Sequence, residues 1–108
     1  PDVDGTYVYY GDYIGGCVDS REPIYKKIIF SNGTHYMFSD ESTFGGDCMD
    51  WFISDVLPDA LLRDEGVIEE QSSILYWAMD GGHADRSLWW IGHTGGYYDI
   101  NNLDVRRI

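Results

Sequence analysis

The stretch Ile24-Tyr25-Lys26-Lys27-Ile28-Ile29-Phe30-Ser31-Asn32-Gly33-Thr34-His35-Tyr36-Met37-Phe38 decides the fold. Two runs rich in β-branched and aromatic residues flank an Asn-Gly pair, the strongest short-range signal for a hairpin. Pro23 opens the first run. The return run sets His35 and Met37 on one face of a strand and Tyr36 and Phe38 on the other.

Outward from this hairpin the same periodicity recurs. Thr6-Tyr7-Val8-Tyr9-Tyr10 reads as an earlier strand that stops at Gly11. Met49 to Ser54, Ile74 to Met79, Leu88 to Ile91, Tyr97 to Ile100 and Leu103 to Ile108 read as later ones. The pattern breaks once, where Pro58, good helix formers and Gly66 predict one or two helical turns near residues 58–64. So short a helix must dock through Leu57, Leu61 and Leu62. Seven or eight short strands, spaced at roughly 8–12 residues, predict an all-β domain: an antiparallel β-sandwich or small barrel. No linker divides the chain, so residues 1–108 form a single domain.

Composition narrows the function classes. The 108 residues carry 19 Asp+Glu against 7 Lys+Arg, a formal net charge of −12, with 44% hydrophobic and 16% aromatic residues. That is too apolar for a disordered acidic tail. It is also too acidic for a protein that tracks a nucleic-acid backbone or an anionic membrane surface. No apolar run approaches the roughly 20 residues needed to span a bilayer. The sequence holds no Gly-x-Ser-x-Gly elbow and no phosphate-cradling glycine loop, and His35, His83 and His93 lack metal-ligand spacing. With 19 carboxylates, a glycosidase-like pair has no specificity. The expectation is a protein without catalytic activity and without a resident metal or cofactor. Calcium is the one ion the acidic loops admit, through Asp40-Glu41, Asp47 and Asp50 and through Asp55, Asp59, Asp64 and Glu65. The ordered register of an EF-hand is absent, and a solvated acidic surface explains these residues as well.

Cys17 and Cys48 each sit beside a glycine pair. A bridge between them would close a loop of about 32 residues, worth roughly 3–4 kcal/mol on the chain-entropy model. Asn32-Gly33-Thr34 is an N-glycosylation sequon in an expected exposed turn. An even cysteine count, the sequon and few lysines together predict an extracellular or cell-surface protein.

The order Gly5-Thr6-Tyr7, Pro23-Ile24-Tyr25-Lys26-Lys27, His35-Tyr36-Met37-Phe38 and Trp51-Phe52-Ile53-Ser54-Asp55 resembles a small extracellular β-domain of secreted algal, protist and marine invertebrate proteins. That family pattern runs Gly-x-Tyr, Pro-x-Tyr, Trp-x-Ile. The likeness covers about the first half of the chain, and beyond it only Trp89-Trp90-Ile91-Gly92 fits. It implies an extracellular, non-enzymatic building block and brings no catalytic residues with it.

Two functional expectations follow. The first is a secreted structural or assembly subunit, a filament or coat protomer that joins copies of itself through an open strand edge at Thr6, Tyr7, Val8, Tyr9 and Tyr10 and through spare aromatic rings. Leu103 to Ile108 would serve the same way at the other end. The second is a carbohydrate-binding, lectin-like module with Trp77, Trp89 and Trp90 as its platform for glycans. An acidic inhibitor seated in a basic cleft is a third, weaker option. If Cys17 and Cys48 are bridged, the intact mass rises by two hydrogens on reduction; two thiols that react in the native protein would remove the main argument for an oxidising compartment.

Overall fold

A computed structural model describes residues 4–14, 21–29, 31, 33–41, 50–78, 88–91, 97–99 and 103–106. The fold is all-β with one short 3₁₀ turn. Its strands are β1 (Gly5–Ile14), β2 (Arg21–Ile29), β3 (Gly33–Asp40), β4 (Asp50–Ser54), β5 (Arg63–Asp64), β6 (Val67–Ile68), β7 (Ile74–Ala78), β8 (Leu88–Ile91), β9 (Tyr97–Asp99) and β10 (Leu103–Arg106). Eight of them form one curled sheet in the order β10-β1-β2-β3-β4-β7-β8-β9, and β5 and β6 form a separate ribbon. All neighbours in the large sheet are antiparallel except β1 and β10, which run parallel. Among the described residues no helix is long and apolar enough to cross a membrane.

The decisive hairpin forms as its pattern predicts. Tyr25 pairs with Met37, Lys26 with Tyr36 and Ile28 with Thr34, and Gly33 adopts the positive φ of 88° that the turn demands. Asn32 itself lies outside the described residues. Because side chains alternate, this register gives the sheet two apolar faces. Tyr7, Tyr25, Met37, Trp51, Ile53 and Ala78 form one buried cluster across five strands, with Tyr9, Tyr76 and Val105 packed against it. On the opposite face Tyr13, Ile24, Phe38, Phe52, Leu61, Ile68 and Ile74 form a second, flanked by Tyr36, Val56, Leu57 and Trp77.

Residues 55–73 supply Leu61 and Ile68 to the second cluster, so this connection covers part of that face. It contains the 3₁₀ turn Pro58–Ala60, with Pro at its start, where a missing N–H does no harm. The helical turns expected to reach residue 64 end at Ala60. Leu61 returns to extended backbone, and Arg63 and Asp64 pair with Ile68 and Val67. Gly66 therefore closes a two-residue hairpin turn rather than a helix. Glu65 (φ 51°) and Gly66 (φ 84°) both take positive φ, the pattern of a type I′ turn. Gln71 pins the connection from within: its Oε1 accepts from Leu62 N–H (2.9 Å), and its Nε2 donates to Leu62 O (3.0 Å) and Glu69 O (2.8 Å).

Gly11 likewise does not end the strand but follows a bulge at Tyr10. The register between β1 and β2 shifts between Tyr9 and Gly11, and pairing continues to Ile14 with Arg21. Pro23 falls inside β2, opposite Asp12, where β3 has not yet joined on the other side. Phe52→Ala, at a fully buried position, is expected to destabilise by about 3–5 kcal/mol. Gly66→Ala, where nothing lies within 4 Å of an added Cβ but φ is positive, should cost only about 1 kcal/mol. Urea melts of both variants check that ordering.

Candidate functional site

Two features of the second face stand out: a buried acidic cluster under the connection, and the half of the face that the connection leaves open. Asp40, at the end of β3, has no solvent exposure in its side chain. Arg63 Nη2 donates to its Oδ2 at 2.8 Å, the Glu41 N–H donates to Oδ1 at 2.7 Å, and Tyr13 Oη lies 3.3 Å from Oδ2. Tyr13 also donates to the Ser39 carbonyl. A carboxylate buried this deeply is tolerable because charge and donors surround it. Ile68 N–H donates to Glu41 O at 2.9 Å and extends the tie into β6. Burial, and then the Asp40 charge beside it, hold the Tyr13 phenol far above its ordinary pKa. Asp50, fully buried, pairs directly opposite Asp40 in the ladder.

The expected calcium ligands thus separate. Asp40, Glu41 and Asp50 lie at this end of the sheet, while Asp55, Asp59, Asp64 and Glu65 are exposed on the covering connection. Asp47 lies outside the described residues. Among the described residues no three of His, Cys, Asp and Glu converge into a group able to hold a metal ion. The Asp40 cluster works as an anchor, and its chemistry is spent on holding the connection to the sheet.

The open half is built from β1, β2, β3 and β10. Pleat and register put Arg106, Val8, Lys26 and Tyr36 in one row across four strands, with Tyr10, Ile28, Thr34, Thr6 and Asp104 on the same side. Val8 (47%), Tyr10 (50%) and Ile28 (67%) are exposed. The Tyr10 and Tyr36 rings meet edge to face, with centroids 5.8 Å apart. Lys26 Nζ stands 4.9 Å from the Tyr10 ring centroid, a cation–π contact. Arg106 Nε reaches Asp104 at 2.9 Å. The composition is that of an interface core, aromatic and aliphatic with a basic group at hand.

The expected site residues distribute unevenly over this framework. Thr6, Tyr7, Val8, Tyr9 and Tyr10 do form strand β1, but its first part is not an open edge. β10 pairs with it in parallel along Gly5–Val8, so Thr6, Tyr7 and Val8 already have a neighbour there, while the pairing with β10 stops short of Tyr9 and Tyr10. Tyr7 is fully buried and cannot meet a partner. Trp77 is half-buried against the second cluster, in register with Phe52 on one side and Trp90 on the other. Trp89 pairs with Tyr98. Cys17, Cys48 and Asn32, the expected bridge and glycosylation site, lie outside the described residues.

Nothing in the sequence marks Lys26, Ile28 and Tyr36 as members of an open face. Their strands are apolar on both faces, so alternation alone names no solvent side. No protein-family model, curated protein or solved structure matches the chain.

The Tyr13 environment sets an alkaline dependence. With its folded pKa raised above 10, both states are protonated below pH 10 and nothing is lost there. Above pH 10 the unfolded chain gives up the proton first, so stability falls as pH rises. Tyr13→Phe is expected to lower stability at pH 7 by about 1 kcal/mol through the lost hydrogen bond, yet to flatten the decline between pH 10 and 11.5. Chemical denaturation at a series of pH values checks both slopes.

Proposed function

We propose that this protein is a non-catalytic, secreted assembly subunit that joins copies of itself through the margins of its sheet. The observation that carries the reading is the strand order: among the described residues, β10 and β9 are the outermost strands of an eight-stranded sheet. Alternating antiparallel neighbours from β1 to β9 make β9 run with β1, and β10 runs with β1 as well. The two margins therefore point the same way. A copy shifted along the sheet brings its β9 beside the first copy's β10 as a parallel pair. Such a joint uses different surfaces on its two sides, so it repeats without closing and gives a filament. The extracellular setting rests on Cys17, Cys48 and the sequon at Asn32.

A capping experiment tests this. Neighbouring residues in a strand send their N–H groups to opposite sides. Pro at Tyr98 or Asp99 therefore removes one outward donor from β9, and Pro at Asp104 or Val105 does so for β10. Variants that keep the wild-type circular-dichroism spectrum go into sedimentation velocity. At high ionic strength, which screens charge-borne contacts, wild type is expected to grow with concentration, and each capped variant alone should stay monomeric. An equimolar mixture of the two caps should stop at dimers, since one β10 and one β9 remain free. Monomeric wild type at every concentration, or growth that neither cap affects, overturns the reading.

A further inference from the structure

We infer that the open half of the second face is a socket for the acidic β5–β6 hairpin of another copy, a contact that rests on the assembly reading and adds a second joint to it. The chain is strongly acidic overall, yet its charge is sorted in space. Residues 55–73 hold Asp55, Asp59, Asp64, Glu65, Glu69 and Glu70 against one cation, Arg63, which Asp40 engages. Asp55, Asp59, Asp64, Glu65 and Glu70 are exposed, and Asp55, Asp59, Asp64 and Glu65 have no cation within ion-pair distance among the described residues. The tight Glu65-Gly66 turn presents Asp64 and Glu65 at the tip of a short rigid ribbon, with Leu62 beside it, 64% exposed.

The socket is the reverse. Lys26, one of only 7 Lys and Arg set against 19 carboxylates, has no carboxylate within ion-pair distance among the described residues. Its ammonium rests over the Tyr10 ring, ringed by exposed Val8, Tyr10 and Ile28. An unpaired cation amid uncovered apolar side chains accepts a carboxylate and an aliphatic group together, and the hairpin tip offers both in Asp64-Glu65 and Leu62. The surfaces differ on the two copies, so this contact also propagates rather than closes. Like charges brought together across such a joint are costly, which makes the pairing directional.

Charge exchange tests it, by sedimentation velocity at low salt. Lys26→Glu alone, and Asp64→Lys with Glu65→Lys alone, should each weaken association about tenfold or more. Mixing the two variants should restore it, since a negative socket then meets a positive tip. Added salt should weaken the wild-type joint. Unchanged association in the variants, or a mixture that does not recover, overturns the socket. Loss on Lys26→Glu without loss on the hairpin substitutions also overturns it, in favour of the face packing on its own copy. If the charge variants behave as wild type while the proline caps still block growth, the socket fails and the edge joint stands. If the caps have no effect while charge exchange works, the edge reading fails and the socket stands.

Discussion

The buried Asp40 carboxylate governs the rest of the structure. It gathers the end of β3, the far half of β1 through Tyr13, and the covering connection through Arg63 into one point. A lone carboxylate there would carry a desolvation penalty of several kcal/mol, so the guanidinium and the donors must all arrive together. That requirement fixes where the connection lies. Leu61 and Ile68 pack against Phe38 and Phe52 at the Asp40 end of the face, and the other end stays open. The uncovered Val8, Tyr10 and Ile28 are thus a consequence of the anchor's position.

One inserted residue makes the anchor reachable. Along β1, residues 7 and 9 belong to the first cluster, and strict alternation would send Tyr13 there too. The bulge between Tyr9 and Gly11 reverses the alternation, so Tyr13 joins Phe38 on the second face, where the rings meet edge to face at 5.8 Å. It also brings Tyr9 and Asp12 onto one side, where the phenol donates to Asp12 Oδ1 at 2.7 Å. The extra residue is Tyr10, left without a ladder partner between Tyr9–Tyr25 and Gly11–Ile24, and its ring meets Tyr36.

A sheet built this way has a covered, acidic, rigid region and an open, aromatic, weakly basic one, separated along the same face. It also has two margins that run in the same direction. Each property alone is common in β proteins. Their combination in one chain is what the proposed assembly uses. Trp77, of the expected Trp platform, is partly buried and packs against the Phe38–Phe52 cluster.

Sequence alone determined the strand-forming segments, the central hairpin and the Pro58 turn, because each follows from neighbours a few residues apart: alternation, Asn-Gly chemistry, proline at a helical start. It misread Gly11 and Gly66, since the residue that ends a strand or helix locally is the same one that permits a bulge or a type I′ turn. Nothing local announced that Leu103–Arg106 would return alongside Gly5–Val8, about a hundred residues earlier in the chain, and cover the first part of the expected edge. Nor did alternation mark Ile28 as exposed and Phe38 as buried in a hairpin apolar on both faces. Tertiary structure decided those points, because strand partners distant in sequence and the side of the sheet that the 55–73 connection covers are set by contacts no local pattern encodes.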